Sequence, residues 1–198
     1  MRPLFVLAHG AGAPSSSEWM RGWRTRLETL GEVASFDFPY MARGLKRPDR
    51  LPVLIAAHRE AIQGALAGRE LPLVLAGKSM GSRVGCHVAA GGDVAVSALV
   101  CFGYPLVGQN GKIRDEVLLA LRTPVLFVQG TRDKLCPLER LEETRAKMTA
   151  RSELHVVEGG DHSLLVTKTL LRQQGRTQAD EDAAILQAIE RFLSRAGG

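Results

Sequence analysis

The sequence predicts an α/β fold, a three-layer α/β/α sandwich around a mostly parallel six-stranded sheet. Three observations lead there. Six short runs carry apolar residues on consecutive positions, the pattern of strands covered on both faces. Stretches of helical periodicity separate the runs, so strand and helix alternate from end to end. Glycine-containing turns follow several runs, where a strand must hand the chain over to a helix.

The runs are residues 4–8, 33–38, 71–76, 98–102, 125–129 and 154–157. Between the first two, Trp19, Trp23, Leu27 and Leu30 fall on one helical face, and Leu54, His58, Ala61, Ile62 and Ala65 do the same before the third. Residues 80–90 suit a helix after the third run. Past the sixth, Ile185, Leu186, Ile189, Phe192 and Leu193 form an apolar stripe, preceded by Thr177 and Asp180 at the spacing of a capping box. Right-handed crossovers between such strands give a parallel sheet with helices on both faces. With no internal repeat, linker or second pattern, residues 1–198 read as a single domain.

Composition narrows the function classes. A chain of 198 residues, 45% hydrophobic and 24% charged, closes a core without metals or disulfides. Its apolar runs are too short to span a bilayer, so no membrane partner is expected. The chain passes from Met1 almost directly into its first strand with no secretory signal visible, and a cytoplasmic location is expected. Cys86, Cys101 and Cys136 lack metal-ligand spacing. The first two read as core residues, while Cys136 sits in a polar stretch that suggests exposure. A net charge of +5 and a pI near 9.4 raise the question of nucleic acid. The basic residues are interspersed with acids, as over residues 138–147, which marks a solvated surface, and no nucleic-acid partner is expected. One cluster stands apart: Arg43, Lys46, Arg47 and Arg50, with only Asp49 against them.

Ligands of parallel sheets bind outside the carboxyl ends of the strands. There the sequence places His9-Gly10-Ala11-Gly12 after the first strand, Pro39-Tyr40-Met41 after the second and Gly77-Lys78-Ser79-Met80-Gly81 at the third. Gly130-Thr131-Arg132-Asp133 follows the fifth and Gly159-Gly160-Asp161-His162-Ser163 the sixth. In Gly-x-Ser-x-Gly the turn from strand to helix is so tight that side chains two positions either side of the serine would collide with neighbouring backbone. Ser79 is the candidate nucleophile, at the amino end of a helix whose dipole favours negative charge. His162 is the candidate base and Asp133 the acid that orients it. Asp161, the immediate neighbour of His162, suits hydrogen bonds to loop amides better. The amides of Ala11 and Met80 are candidates for an oxyanion hole, and His9 reads as a brace for its loop. Lys78 is expected to extend to solvent. Two nucleotide-binding readings fail. A Walker A loop ending at Gly77-Lys78-Ser79 needs glycine where Pro72 stands, and a dinucleotide fingerprint from Gly10 needs one at Ser15.

From about Phe5 to Phe192 the chain resembles the α/β-hydrolase superfamily. His9-Gly10-Ala11-Gly12-Ala13, Phe38-Pro39-Tyr40-Met41, Lys46-Arg47-Pro48-Asp49-Arg50, Gly77-Lys78-Ser79-Met80-Gly81-Ser82-Arg83, Gly160-Asp161-His162-Ser163 and Gly175-Arg176-Thr177 are similar to its small KANL/Tex-like branch, a distant relation of dienelactone-hydrolase-like enzymes. The resemblance implies a sheet without the first two strands of the full fold, in the order 2-1-3-4-5-6. It also implies no cap domain, the connection at residues 103–122 being too short for one. It supplies no substrate, and fold alone licenses no reaction.

The expected function is hydrolysis of a small-molecule acyl substrate, an ester or thioester, through an acyl-enzyme on Ser79, with no metal or organic cofactor. Tyr40 and Met41 should lie at the rim, with Arg43 and Arg47 favouring anionic acyl groups, and residues 170–176 should flank the mouth. The rival reading is a non-catalytic relative acting as a binding or scaffold protein, which predicts loss of a triad member. Ser79, Asp133 and His162 are all present.

Overall fold

The pleat of the central strands sorts their consecutive apolar residues onto two faces. A computed structural model of the chain describes residues 1–108 and 110–196. Its sheet contains β1 (Leu4–Ala8), β2 (Glu32–Phe36), β3 (Leu73–Lys78), β4 (Ala98–Phe102), β5 (Val125–Gly130) and β6 (Ser152–Val157). All neighbours pair in parallel, in the order β2-β1-β3-β4-β5-β6. Leu4, Val6, Leu73, Leu75, Leu99, Cys101, Val125 and Phe127 point into one core cluster. Their alternates Phe5, Leu7, Val74, Ala76, Val100, Phe102, Leu126 and Val128 point into the other. Each buried Leu, Val or Phe among them contributes about 1.5–3 kcal/mol of apolar burial.

Helices close both faces. On the first lie α3 (Leu51–Leu66), α4 (Met80–Gly91) and α6 (Leu138–Arg145), whose Ile62, Cys86, Val88 and Leu141 join that cluster. On the second, α1 (Glu18–Leu27) buries Met20, Trp23 and Leu27, and α8 (Gln178–Ala196) buries Ile185, Ile189 and Phe192. The start of α8 is the expected capping box. The Thr177 amide donates to Asp180 Oδ2 at 2.8 Å, and the Asp180 amide donates back to Thr177 Oγ1 at 3.2 Å. Among the described residues, no helix is long and apolar enough to cross a membrane.

Three local expectations shift. The third strand begins at Leu73 because Pro72 has no amide to pair; its carbonyl instead accepts from Leu4 at 2.9 Å. The second strand ends at Phe36, since the Phe38 amide leaves the ladder to donate to His9 Nε2 at 3.0 Å. Cys136 is fully buried, not exposed. The turn after β5 folds it into the first cluster, and burial, with Asp133 nearby, pushes its thiol pKa up to about 12. Between β4 and β5, the described part of residues 103–124 holds a short α5 (Glu116–Leu119) and one isolated bridge, Val107 with Ile113, and forms no cap domain. The remaining short helices are α2 (Pro39–Ala42) and α7 (Lys168–Gln173).

Candidate active site

The sheet order reverses between β2 and β3, so the chain leaves β1 toward one face and β3 toward the other. That opens a crevice at their carboxyl ends. Ser79 stands in it, directly between β3 and α4, with φ 50° and ψ −113°, a conformation that strains any residue with a Cβ. The flanking glycines make the turn possible. A Cβ on Gly77 would fall inside contact distance of the Gly81 and Ser82 backbone, and one on Gly81 would strike the carbonyls of Ala8 and His9. The elbow is thus wedged between the end of β1 and its own helix.

Ser79 Oγ lies 2.8 Å from His162 Nε2, and His162 Nδ1 lies 2.7 Å from Asp133 Oδ2. With a carboxylate accepting from Nδ1–H, the Nε2 lone pair is left to accept the serine hydroxyl. Asp133 is buried at 4% exposure, and its carboxylate also accepts from Gln129 Nε2 at 2.6 Å and from the Leu135 amide at 2.9 Å. Burial alone would raise its pKa. The hydrogen bond and charge of His162, then Leu135 and Gln129, outweigh that and hold the carboxyl below its ordinary value. Asp161 points elsewhere, accepting from the amides of Ser163 at 2.7 Å and Leu165 at 3.0 Å, and so shapes the histidine loop as expected.

Lys78 departs from expectation. It folds inward, donating from Nζ to the His162 carbonyl at 3.0 Å and lying 5.0 Å from the centre of the Trp19 ring. The indole Nε1 of Trp19 donates to the next carbonyl, that of Ser163, at 2.8 Å. Two side chains remote in sequence therefore hold consecutive carbonyls of the loop that carries His162.

His9 is buried and braces its loop. Its Nε2 accepts from Phe38, which leaves Nδ1–H to donate to the Gly10 carbonyl at 2.6 Å. Burial lowers its pKa, against the opposing pull of that carbonyl and Asp37, and this agrees with a neutral ring. In a trans peptide the carbonyl of one residue and the amide of the next point in opposite directions. Anchoring the Gly10 carbonyl to His9 therefore turns the Ala11 amide away from His9. Ala11, Ser79 and Met80 line one cavity of about 310 Å³, together with Pro48, Arg83, Pro105, Val107, Arg114 and Leu135. Met80 opens α4, where its amide has no carbonyl of its own helix to bond.

The other expected binding residues are arranged differently. Tyr40 is fully buried, and its hydroxyl donates to the Ala11 carbonyl at 2.9 Å, so it supports the loop from beneath and does not line the rim. Met41 packs with Tyr40 and Phe38. Arg43 is exposed and paired with Asp49 at 2.8 Å, while Arg47 lines a separate outward groove with Lys46 and Arg50. Of the basic loop, Pro48 reaches the Ser79 cavity. Residues 170–176 are not among those lining it. The cations that do line it, Arg83 and Arg114, were not anticipated. Arg83 carried a readable signal, because it lies four residues after Ser79 and its amide donates to the Ser79 carbonyl at 3.2 Å, one helical turn along the same face.

The model of the alpha/beta hydrolase domain matches residues 1–194, and the chain belongs to that family. Among solved structures, it is similar to an alpha-beta serine hydrolase homologue from Coxiella burnetii, with a TM-score of 0.71 at 18% identity over 98% of this chain and 85% of the other. A dienelactone hydrolase from Anabaena variabilis gives 0.71 at 18% identity over 98% and 86%. A serine hydrolase without lid from Xanthomonas campestris gives 0.69 at 14% identity over 98% and 82%. At these identities the likeness concerns the fold, here in its lidless form.

Proposed function

We propose that the protein is a serine hydrolase that cleaves a carboxylic ester or thioester of a small molecule. The observation that carries this reading is the unbroken line of hydrogen bonds from Ser79 Oγ through His162 to the buried Asp133. Ser79 attacks the acyl carbonyl as His162 Nε2 takes its proton, and Asp133 keeps the ring in the required tautomer and stabilises the imidazolium. The amides of Ala11 and Met80 hold the developing oxyanion, aided by the amino end of α4. His162 returns the proton to the leaving alcohol or thiol. It then takes one from water, which attacks the acyl-enzyme, and passes it to Ser79 Oγ as the acyl–oxygen bond breaks and the acid leaves. These steps draw on side chains and backbone alone, within residues 1–198 taken as one domain. Tyr40 and His9 serve this chemistry by fixing the Ala11 loop, and Lys78 and Trp19 by fixing the His162 loop.

The test is labelling with a fluorophosphonate, followed by mapping of the adduct. Wild-type protein should be labelled at Ser79, and Ser79→Ala should not be labelled. A folded wild-type protein that takes up no probe would overturn the enzyme reading and favour a non-catalytic binding role.

A further inference from the structure

We infer that the substrate carries an anionic group close to its ester or thioester, received by Arg83 and Arg114. This inference rests on the hydrolase reading above and names the substrate class for the same cavity. Both arginines are half-buried residues of the wall that also contains Ser79, Met80 and Ala11, so the cavity that receives the acyl group is one to which two arginines contribute. Buried Arg83 Nε has no hydrogen-bond partner, a costly state for a cationic donor. Arg59 Nε shares that state, but Arg59 and the remaining partly buried arginines each have a carboxylate: Arg59 pairs with Asp93 at 2.6 Å, Arg26 with Asp182 at 2.6 Å and Arg145 with Glu142 at 2.7 Å. Among the described residues no carboxylate forms such a pair with Arg83 or Arg114. Glu116 feels the charge of Arg83, but its exposed carboxylate pairs with Lys112 at 3.3 Å.

The rest of the wall explains why the anion should be small and near the reacting carbon. Pro48, Pro105, Val107 and Leu135 are apolar, and the cavity is at the lower end of ligand-pocket volumes. Two positive groups in an apolar wall without an internal counterion make a receptor for a carboxylate or a similar compact anion. Guanidinium groups bind these through paired, charge-assisted hydrogen bonds. The assignment moves anion selection from the outward Arg43 and Arg47 to two residues that share a wall with Ser79.

The experiment compares esters that differ only in charge. Monoethyl succinate and its neutral analogue ethyl succinamate place the group on the acyl side. Acetoxyacetate and acetoxyacetamide place it on the alcohol side. Wild-type kcat/KM should favour the anionic member of one pair by about tenfold or more, and the pair that responds fixes the side. That ratio should fall toward one in Arg83→Met and Arg114→Met and recover in part in Arg83→Lys. Calorimetric titration of Ser79→Ala with the same compounds reads binding without turnover. Tighter binding of an anionic ester there, with no turnover by wild type, would keep the anion site and remove the hydrolase reading. Equal kcat/KM within both pairs would overturn the anion site while the hydrolase reading stands. Equal binding of charged and neutral members by Ser79→Ala, or binding of neither, would also overturn it.

Discussion

The ammonium group of Lys78 donates to the carbonyl oxygen of His162 at 3.0 Å, so the residue just before the nucleophile grips the backbone of the loop bearing its partner. This contact draws a cation out of water. Burial lowers the Lys78 pKa from its ordinary 10.5 to about 8, with Asp161 and Asp133 opposing the shift. Between those two values the unfolded chain binds more protons at this position than the folded one, so stability linked to Lys78 rises with pH across the window. The melting temperature of wild type minus that of Lys78→Met should therefore increase from pH 8 to pH 10.5. A flat difference in matched thermal scans would show that the lysine is not desolvated.

Asp133 has the opposite polarity. Its carboxyl is held below the ordinary 3.8, so the stability it adds is present above that value and is lost as pH falls through the lowered one. The stability gap between wild type and Asp133→Asn should narrow on acidification below pH 3.8. At neutral pH the asparagine amide would oppose Nδ1–H and favour the wrong histidine tautomer, and kcat should fall about a thousand- to ten-thousand-fold. Steady-state turnover of the best ester, beside melts at both pH values, separates the two roles.

Gly81→Ala should destabilise the protein by at least the top of the usual overpacking range of about 1–3 kcal/mol. The new methyl would meet the backbone carbonyls of Ala8 and His9, which cannot swing aside as a side chain could. Gly12→Ala is the matched control, since a Cβ there meets nothing within 4 Å. Urea denaturation of the pair should show a large loss in the first and almost none in the second.

Ser79→Gly should be more stable than Ser79→Ala, although neither has a nucleophile. Both lose the hydroxyl, but only glycine relieves the backbone at φ 50° and ψ −113°, where strain of about 1–3 kcal/mol is stored. Equal midpoints in thermal denaturation would mean that the elbow is relaxed.

Residues whose placement follows from local chain geometry were legible in the sequence. Gly77 and Gly81 announce a turn that no other residue fits, and Ser79, Asp133 and His162 each follow a strand. The apolar runs sort into two faces by parity alone, which is why the layers could be anticipated. Lys78 was not legible, because nothing near it in the chain reveals that Trp19 and the His162 carbonyl will surround it. Tyr40 misleads for a similar reason. An aromatic residue after a strand suits a rim, yet the carbonyl that receives its hydroxyl comes from a loop 29 residues earlier. The basic loop looked like an anion site because charge is conspicuous in a sequence. The pairing of Arg43 with Asp49 and the burial of Arg83 depend on how α4 and the Pro48 loop pack.

The short connection at residues 103–124 has a kinetic meaning. Among the described residues no cap domain covers the crevice, so on the hydrolase reading no cap would have to open before product leaves, and turnover would be timed by bond making and breaking rather than by gating. An acyl group on Ser79 would also form in a cavity that no cap domain among the described residues seals from water. Competing alcohols or amines would have to intercept it against bulk water, which biases the intermediate toward release of the free acid over transfer to another acceptor.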